Sequence, residues 1–361
     1  MHYIHGGDIY HQKENVLYDF SININPLGMP ERSRQAAMRG IELSEGRYPD
    51  PDGKKLCTGL AQKKNIDASQ IILGNGAAEL IYALCQALRP PKGCILAPGF
   101  QEYEAGLKSV NAKLQIWDLQ EKEAFCLTRN FLSYLEKNAG KNEILFVCNP
   151  NNPTGSMVSQ EMLRQIAAIC EKAGCFLCVD ECFLPFLENE KEFTMLPFLQ
   201  EYPHLIVLRA FTKIYGMPGL RIGYACTANQ KLLEKMHSVL QPWNTSVPAQ
   251  MAAQEALEER AYLQNTIRLL ERERTYLVEE LSGKSGTVLA DRVYPSAANY
   301  IFFHSRRDLK ERLLENGILI RSCANYRNLS EGYFRIAIRT HEENAALVDA
   351  WKGGCGRWSS M

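Results

Sequence analysis

Lys213 closes the segment Ala210-Phe211-Thr212-Lys213, directly after the apolar run Leu205 to Leu208 and eight residues before Arg221. A lysine amine becomes a nucleophile near neutral pH only when its surroundings lower its pKa, and its usual target is a carbonyl carbon. Two further signals lie upstream: Asn149-Pro150-Asn151-Asn152-Pro153-Thr154-Gly155, and a strand-like run from Cys175 that ends in Asp180. Proline and glycine fix the first as a turn and leave the Asn152 amide able to donate to a ring oxygen, although the same composition would make a purely structural turn. Asp180 falls at the carboxyl end of a strand, where open α/β sheets place ligand contacts, and an acid there would equally cap a helix. Amine, carboxylate, asparagine turn and arginine together suit pyridoxal phosphate. The amine condenses with the aldehyde, and the carboxylate keeps the pyridine nitrogen protonated so that the ring accepts electrons.

A phosphate needs its own seat. Gly74-Asn75-Gly76-Ala77-Ala78-Glu79 joins the short apolar run Ile71 to Leu73 to a helix expected over Ala77 to Leu88. Free N–H groups at a helix start bind phosphate, and small residues let the anion approach. Glycines before a helix also make ordinary turns, so the segment alone leaves both readings open. It lacks the third glycine and late acid of a dinucleotide fingerprint. Gly76, Ala77 and Ala78 carry no hydroxyl, which leaves binding there to the backbone, with Thr212 and the guanidinium of Arg221 completing the seat.

The scaffold reads as α/β. Candidate strands at Lys113 to Trp117, Glu143 to Cys148, Cys175 to Val179, Leu205 to Arg209 and Arg221 to Cys226 alternate with amphipathic stretches, the pattern of βαβ units and a mostly parallel sheet. Between them a helix is expected over Glu161 to Lys172, capped by Ser159 and stopped by Gly174. Beyond Tyr224 the pattern changes to helices over Gln230 to Leu240 and Pro248 to Leu281. Strands follow at Tyr300 to Phe303, Ile318 to Arg321 and Tyr333 to Ile338, with a helix over Asp308 to Glu315. These imply an N-terminal arm (1–30), a large domain (31–229) and a smaller α+β domain (230–361), with a loose tail from Lys352 to Met361.

With 361 residues, 41 Lys+Arg and 41 Asp+Glu, the chain is long for a single core and has no net field to draw nucleic acid or an anionic membrane. Met1 to Phe20 hold no apolar leader segment, and no run is long enough to span a bilayer, so a cytoplasmic protein is expected. The 12 cysteines are dispersed. Cys175 and Cys178 have CxxC spacing but sit in a strand-like run with no second pair or nearby histidines, which favours buried thiols over a metal site.

From His5 to Arg339 the chain resembles the fold-type I pyridoxal-phosphate enzymes of the class I and II aminotransferase group, whose fold is a three-layer αβα sandwich with a smaller C-terminal domain. His5-Gly6-Gly7-Asp8, Asp19 to Gly28, Arg47-Tyr48-Pro49-Asp50-Pro51-Asp52, Thr212 to Arg221, Ile318 to Tyr326 and Phe334 to Arg339 are similar to the threonine-phosphate decarboxylases of cobamide biosynthesis, relatives of the histidinol-phosphate aminotransferases. The resemblance implies Lys213 as the Schiff-base lysine, Asp180 at the pyridine nitrogen and Asn152 at the phenolic oxygen. It implies Phe100 stacked on the ring, Gly76, Ala77, Ala78, Thr212 and Arg221 at the phosphate, and Tyr48 reaching over from the neighbouring subunit of a homodimer. Arg335 would grip a substrate carboxylate, with Asn25, His5, Arg321 and Arg339 also on the substrate side and the arm packed across the site. Two departures stand out: Phe183 replaces a tyrosine common in aminotransferases, and Ala210 lacks a hydroxyl often found there. The implied reaction is decarboxylation of L-threonine O-3-phosphate. The alternative is an aminotransferase acting on histidinol phosphate or another amino acid. A non-catalytic regulator is disfavoured by the intact Lys213 and Asp180.

Overall fold

The computed structural model describes residues 5–356; Met1 to Ile4 of the expected arm lie outside them. The arm contributes β1 (Tyr18–Asp19), followed by α1 (Glu31–Leu43), α2 (Lys54–Lys64), β2 (Ile71–Gly74) and α3 (Ala77–Leu88). Next come β3 (Lys92–Ala97), α4 (Gln101–Ser109), β4 (Lys113–Asp118), α5 (Asn130–Asn138), β5 (Ile144–Cys148), α6 (Gln160–Ala173), β6 (Phe176–Asp180), β7 (Leu205–Ala210) and β8 (Gly223–Cys226). The remainder runs α7 (Gln230–Val239), α8 (Val247–Ala256), α9 (Arg260–Leu281), β9 (Arg292–Val293), β10 (Tyr300–His304), α10 (Leu309–Leu314), β11 (Ile318–Leu319), β12 (Arg321–Ser322), β13 (Tyr333–Ala337) and α11 (His341–Gly356).

Seven strands form the main sheet in the order β2-β8-β7-β6-β5-β3-β4. Strands β5, β6 and β7 are buried along their whole length, as expected of a sheet covered on both faces. Phe146, Cys178 and Ile206 pack with Leu80, Tyr103 and Met236 from α3, α4 and α7. Their neighbours Leu145, Leu177 and Val207 pack with Phe131, Leu163 and Ala253 from α5, α6 and α8. The result is the expected three-layer αβα sandwich. Strand β8 alone runs against the common direction of the other six strands in this sheet. The chain therefore turns back between β7 and β8 at the carboxyl end of β7, where the segment from Phe211 to Ile222 holds both Lys213 and Arg221. The carboxyl ends of β2, β5 and β6 lie on that same edge. They deliver the Gly76-Ala77 helix start, the Asn149 to Gly155 turn and Asp180 to one place.

The smaller unit is an antiparallel sheet, β12-β13-β10-β9, covered by α9, α10 and α11. The arm is sewn to it: β1 pairs in parallel with β11, Tyr18 opposite Ile318, and Phe20 enters its core.

Helices α7 and α8, which follow Gly223–Cys226, pack into the two cores of the main sheet. Two expectations change. The single helix expected over Pro248 to Leu281 is two, because the alanine face of α8 packs on the large unit while Leu270, Leu277 and Leu281 of α9 belong to the small one. The supposedly loose tail is helical as far as Gly356, anchored by Trp351 in the core; Arg357 to Met361 lie outside the described residues. Among the described residues no helix is long and apolar enough to cross a membrane.

Candidate active site

A cavity of about 410 Å³ opens where the strand ends, the arm and the small sheet meet. Lys213, Asp180, Asn152, Ala77, Ala78, Phe100, Thr212, Arg221, Arg321, Arg335 and His5 all line it. Asp180 is buried at the end of β6. Its Oδ2 accepts from the Tyr103 hydroxyl at 2.7 Å and its Oδ1 from the Cys182 amide at 3.0 Å. Burial first, and Asp180 next, pushes the Tyr103 phenol well up, so it stays a donor to the carboxylate. Behind the strand, Glu181 turns to the opposite face and pairs with Arg209, which is 1% exposed and sits on β7. That buried pair ties together the two strand ends that carry Asp180 and lead to Lys213.

Lys213 is partly buried at the cavity floor. Burial, then the positive charges of Arg335 and Arg221, lower its pKa from 10.5 to about 8. In cofactor-free protein the Lys213 amine should therefore react with an acylating reagent along a titration centred near pH 8. A midpoint above 10, measured by peptide mapping over pH, would show that the amine is not activated.

The candidate phosphate seat lies at the start of α3. Gly76 caps that helix at φ +89°, and a Cβ there would stand 2.6 Å from a terminal nitrogen of Arg221. The glycine thus admits the guanidinium to the helix start, where the free amides of Ala77 and Ala78 lie. In the asparagine turn, Asn149 holds Val158 through both amide atoms, and the Asn151 side chain bonds Pro98 O and Thr154 Oγ1. Gly155, at φ +75°, leaves no room for a Cβ beside Ser296 Oγ. Within this fixed turn Asn152 Oδ1 accepts from Arg335 and from the Tyr326 hydroxyl, which turns its Nδ2 toward the cavity as a donor. Phe183, edge-on to Tyr300, supplies no hydroxyl to the cavity.

The substrate side has a distinctive charge arrangement. Arg335 on β13 is the register partner of Arg321 on β12, and both line the cavity. Directly opposed side chains share a face, and like charges there are unfavourable without an anion between them. Arg335 donates to Ser21 O and Asn152, while its Nε is buried without a partner among the described residues. His5 reaches the cavity from the arm, held by Glu102 at 2.7 Å.

Four expected residues stand elsewhere. Gly76 shapes the seat from behind rather than lining it. Asn25 lies under the site, donating to Ile214 O and Thr266 Oγ1 at 2.8 Å and accepting from Leu27 N. Arg339 lies beyond the end of β13, where Glu343 in the first turn of α11 and Asp19 O engage it. Tyr48 is 71% exposed and stacks on Trp243 at 4.2 Å, away from its own chain's cavity. Sequence reasoning missed Asn23: it lines the cavity, and both its amide atoms are buried without partners among the described residues. A local signal existed, since Asn25 before Pro26 and Gly28 reads as a turn asparagine bonded to its own backbone, leaving Asn23 for the ligand.

The donor set matches pyridoxal phosphate group by group: a helix start with arginine for the phosphate, a carboxylate for the ring nitrogen, an amide for the phenolic oxygen and an amine for the aldehyde. The sequence profile of the aminotransferase class I and II family matches residues 15–350, and the chain belongs to that family. It is 36% identical over 355 residues to a threonine-phosphate decarboxylase from Salmonella typhimurium, covering 96% of this chain and 95% of that protein. A histidinol-phosphate aminotransferase from Caldanaerobacter subterraneus is 32% identical over 351 residues, with 94% of each covered. Among solved structures, the histidinol-phosphate aminotransferase from Clostridium acetobutylicum superposes with a TM-score of 0.86 at 28% identity, covering 94% of this chain and 100% of that one. The chain is a pyridoxal-phosphate-dependent enzyme.

Proposed function

We propose that this enzyme decarboxylates a phosphorylated amino acid, L-threonine O-3-phosphate, to 1-amino-2-propanol phosphate. The observation that carries the reading is the opposed pair Arg321 and Arg335 beside His5 in one cavity. Such a cluster suits a substrate bearing a carboxylate and a phosphate on the same small skeleton. Histidinol phosphate carries only the phosphate. The 36% identity to a threonine-phosphate decarboxylase supports the same reading.

Bound pyridoxal phosphate supplies an acceptor for the electron pair of whichever α-carbon bond stands perpendicular to its ring. Arg335, with its buried Nε available, holds the carboxylate; Arg321 and His5 hold the phosphate; together they set which bond is perpendicular. Asp180 stabilises the protonated ring nitrogen. Lys213, with its lowered pKa, is placed to carry the proton that replaces carbon dioxide on the α-carbon. The test is incubation with O-phospho-L-threonine, with and without 2-oxoglutarate. Carbon dioxide release independent of 2-oxoglutarate is expected. Glutamate formation without carbon dioxide would replace this reading with the aminotransferase.

The exposed Tyr48, stacked on Trp243 outside its own cavity, supports a homodimer in which each subunit lends this tyrosine to the other's phosphate seat. Lys213→Ala and Tyr48→Ala proteins, each impaired alone, should recover roughly a quarter of wild-type activity after equal mixing and re-association, because hybrid dimers hold one intact site. Mixtures that recover nothing would contradict a shared site.

A further inference from the structure

Between β12 and β13 the chain leaves the small sheet and crosses to the large unit. At the base of this excursion the Cys323 amide bonds Tyr333 O at 2.8 Å. Farther out the contacts are made to the other unit. Arg327 grips Glu104 of α4 with a two-pronged ion pair, its terminal nitrogen 2.6 Å from Oε1. Gln101 Nε2 donates to Asn325 O at 2.8 Å, and Asn328 Nδ2 donates to Leu119 O at 2.7 Å and to Ala97 O. The same excursion carries one cavity-lining group, Tyr326, and braces a second, Arg321 on the adjoining β12. Asn325 Oδ1 accepts from Arg321 at 3.0 Å, and the Arg321 guanidinium lies 5.3 Å from the Tyr326 ring centroid.

Helix α4 is therefore more than a layer over the sheet. Its cap, Phe100, lines the cavity; Glu102 holds His5 of the arm and accepts from the Tyr82 hydroxyl; Glu104 holds Arg327. A single exposed ion pair ordinarily contributes little. This one is bidentate, its carboxylate side chain is 15% exposed, and it fixes a loop whose position sets that of a ligand-binding arginine. Arg327, with Lys108 adding to it, holds the Glu104 carboxyl down at about 2, so the pair is intact at neutral pH.

We propose that Glu104 and Arg327 are positioning residues: from outside the cavity their ion pair fixes the loop that presents Arg321 and Tyr326 to the anionic end of the substrate. The inference rests on the reading that Arg321 serves a phosphorylated amino acid. Two measurements on the holoenzyme test it with Glu104→Ala, Arg327→Ala and the double variant. Hydrogen exchange without substrate should rise in the peptide spanning 321–328 and stay unchanged in β6 and β7. The KM for O-phospho-L-threonine should rise on the order of tenfold with kcat within about twofold. The double variant should be no worse than either single one, since both remove the same contact. Unchanged exchange at 321–328, or additive losses in the double variant, would overturn the proposal. If wild-type holoenzyme is inert toward O-phospho-L-threonine, the functional reading fails, and the exchange measurement alone still decides whether the pair positions the loop.

Discussion

Lys213→Ala protein should fold, bind pyridoxal phosphate without a covalent link, and lose turnover by a factor on the order of 10²–10⁴, the range for removing a positioned acid–base group. The loss should fall on kcat, because the proposed substrate contacts Arg321, Arg335 and His5 are left in place. Stability should move the opposite way. In the cofactor-free enzyme the Lys213 pKa lies near 8, against 10.5 for an ordinary lysine, so the unfolded chain holds the proton more tightly. Below pH 8 the folded state bears the whole cost of the buried ammonium, and as pH rises from 8 to 10.5 that cost disappears. Cofactor-free Lys213→Ala should thus melt higher than cofactor-free wild type at pH 7, with the gap closing toward pH 10.5. A variant that melts lower at pH 7 would show that the site does not strain this amine.

Arg335→Leu should raise KM by about a hundredfold or more. Truncating one partner of a buried charge pair costs about 2–5 kcal/mol, and in the proposed reaction the substrate carboxylate is the partner. The substitution also strips Ser21 O and Asn152 Oδ1 of a donor, which loosens the arm against the asparagine turn. A second consequence separates this role from a merely structural one. Arg335 is the largest charge effect on Lys213 after burial, so its removal should move the Lys213 titration upward. A variant with raised KM and an unmoved Lys213 titration would place Arg335 farther from the amine than this site has it.

Much of the site was legible because its residues punctuate regular elements. Ala77 to Leu88 forms the helix expected, and Ser159 and Gly174 cap α6 through a side-chain bond and a left-handed turn. Strands β5 and β6 and the first four residues of β7 announce themselves as apolar runs, and Asp180 closes one of them. Other elements carry weaker signals. Strand β3 lies between Pro90-Pro91 and Pro98-Gly99 and contains Lys92 and Gly93, so neither alternation nor a long apolar run marks it, yet it is paired on both sides, between β5 and β4. The break between α8 and α9 has no proline or glycine; it exists because consecutive turns belong to different cores, which only the tertiary structure decides. The same holds for Arg339. It shares an apolar segment with Arg335, but the strand ends at Ala337 and a carboxylate four residues farther along claims it.

The amine proposed to join the cofactor aldehyde is that of Lys213, in a cavity that lowers its pKa. Borohydride reduction of the purified holoenzyme, followed by digestion and mass spectrometry, tests that most directly. One peptide, spanning Lys213, should carry the reduced pyridoxyl phosphate group. A label on a different lysine, or none in protein that had taken up the cofactor, would contradict it.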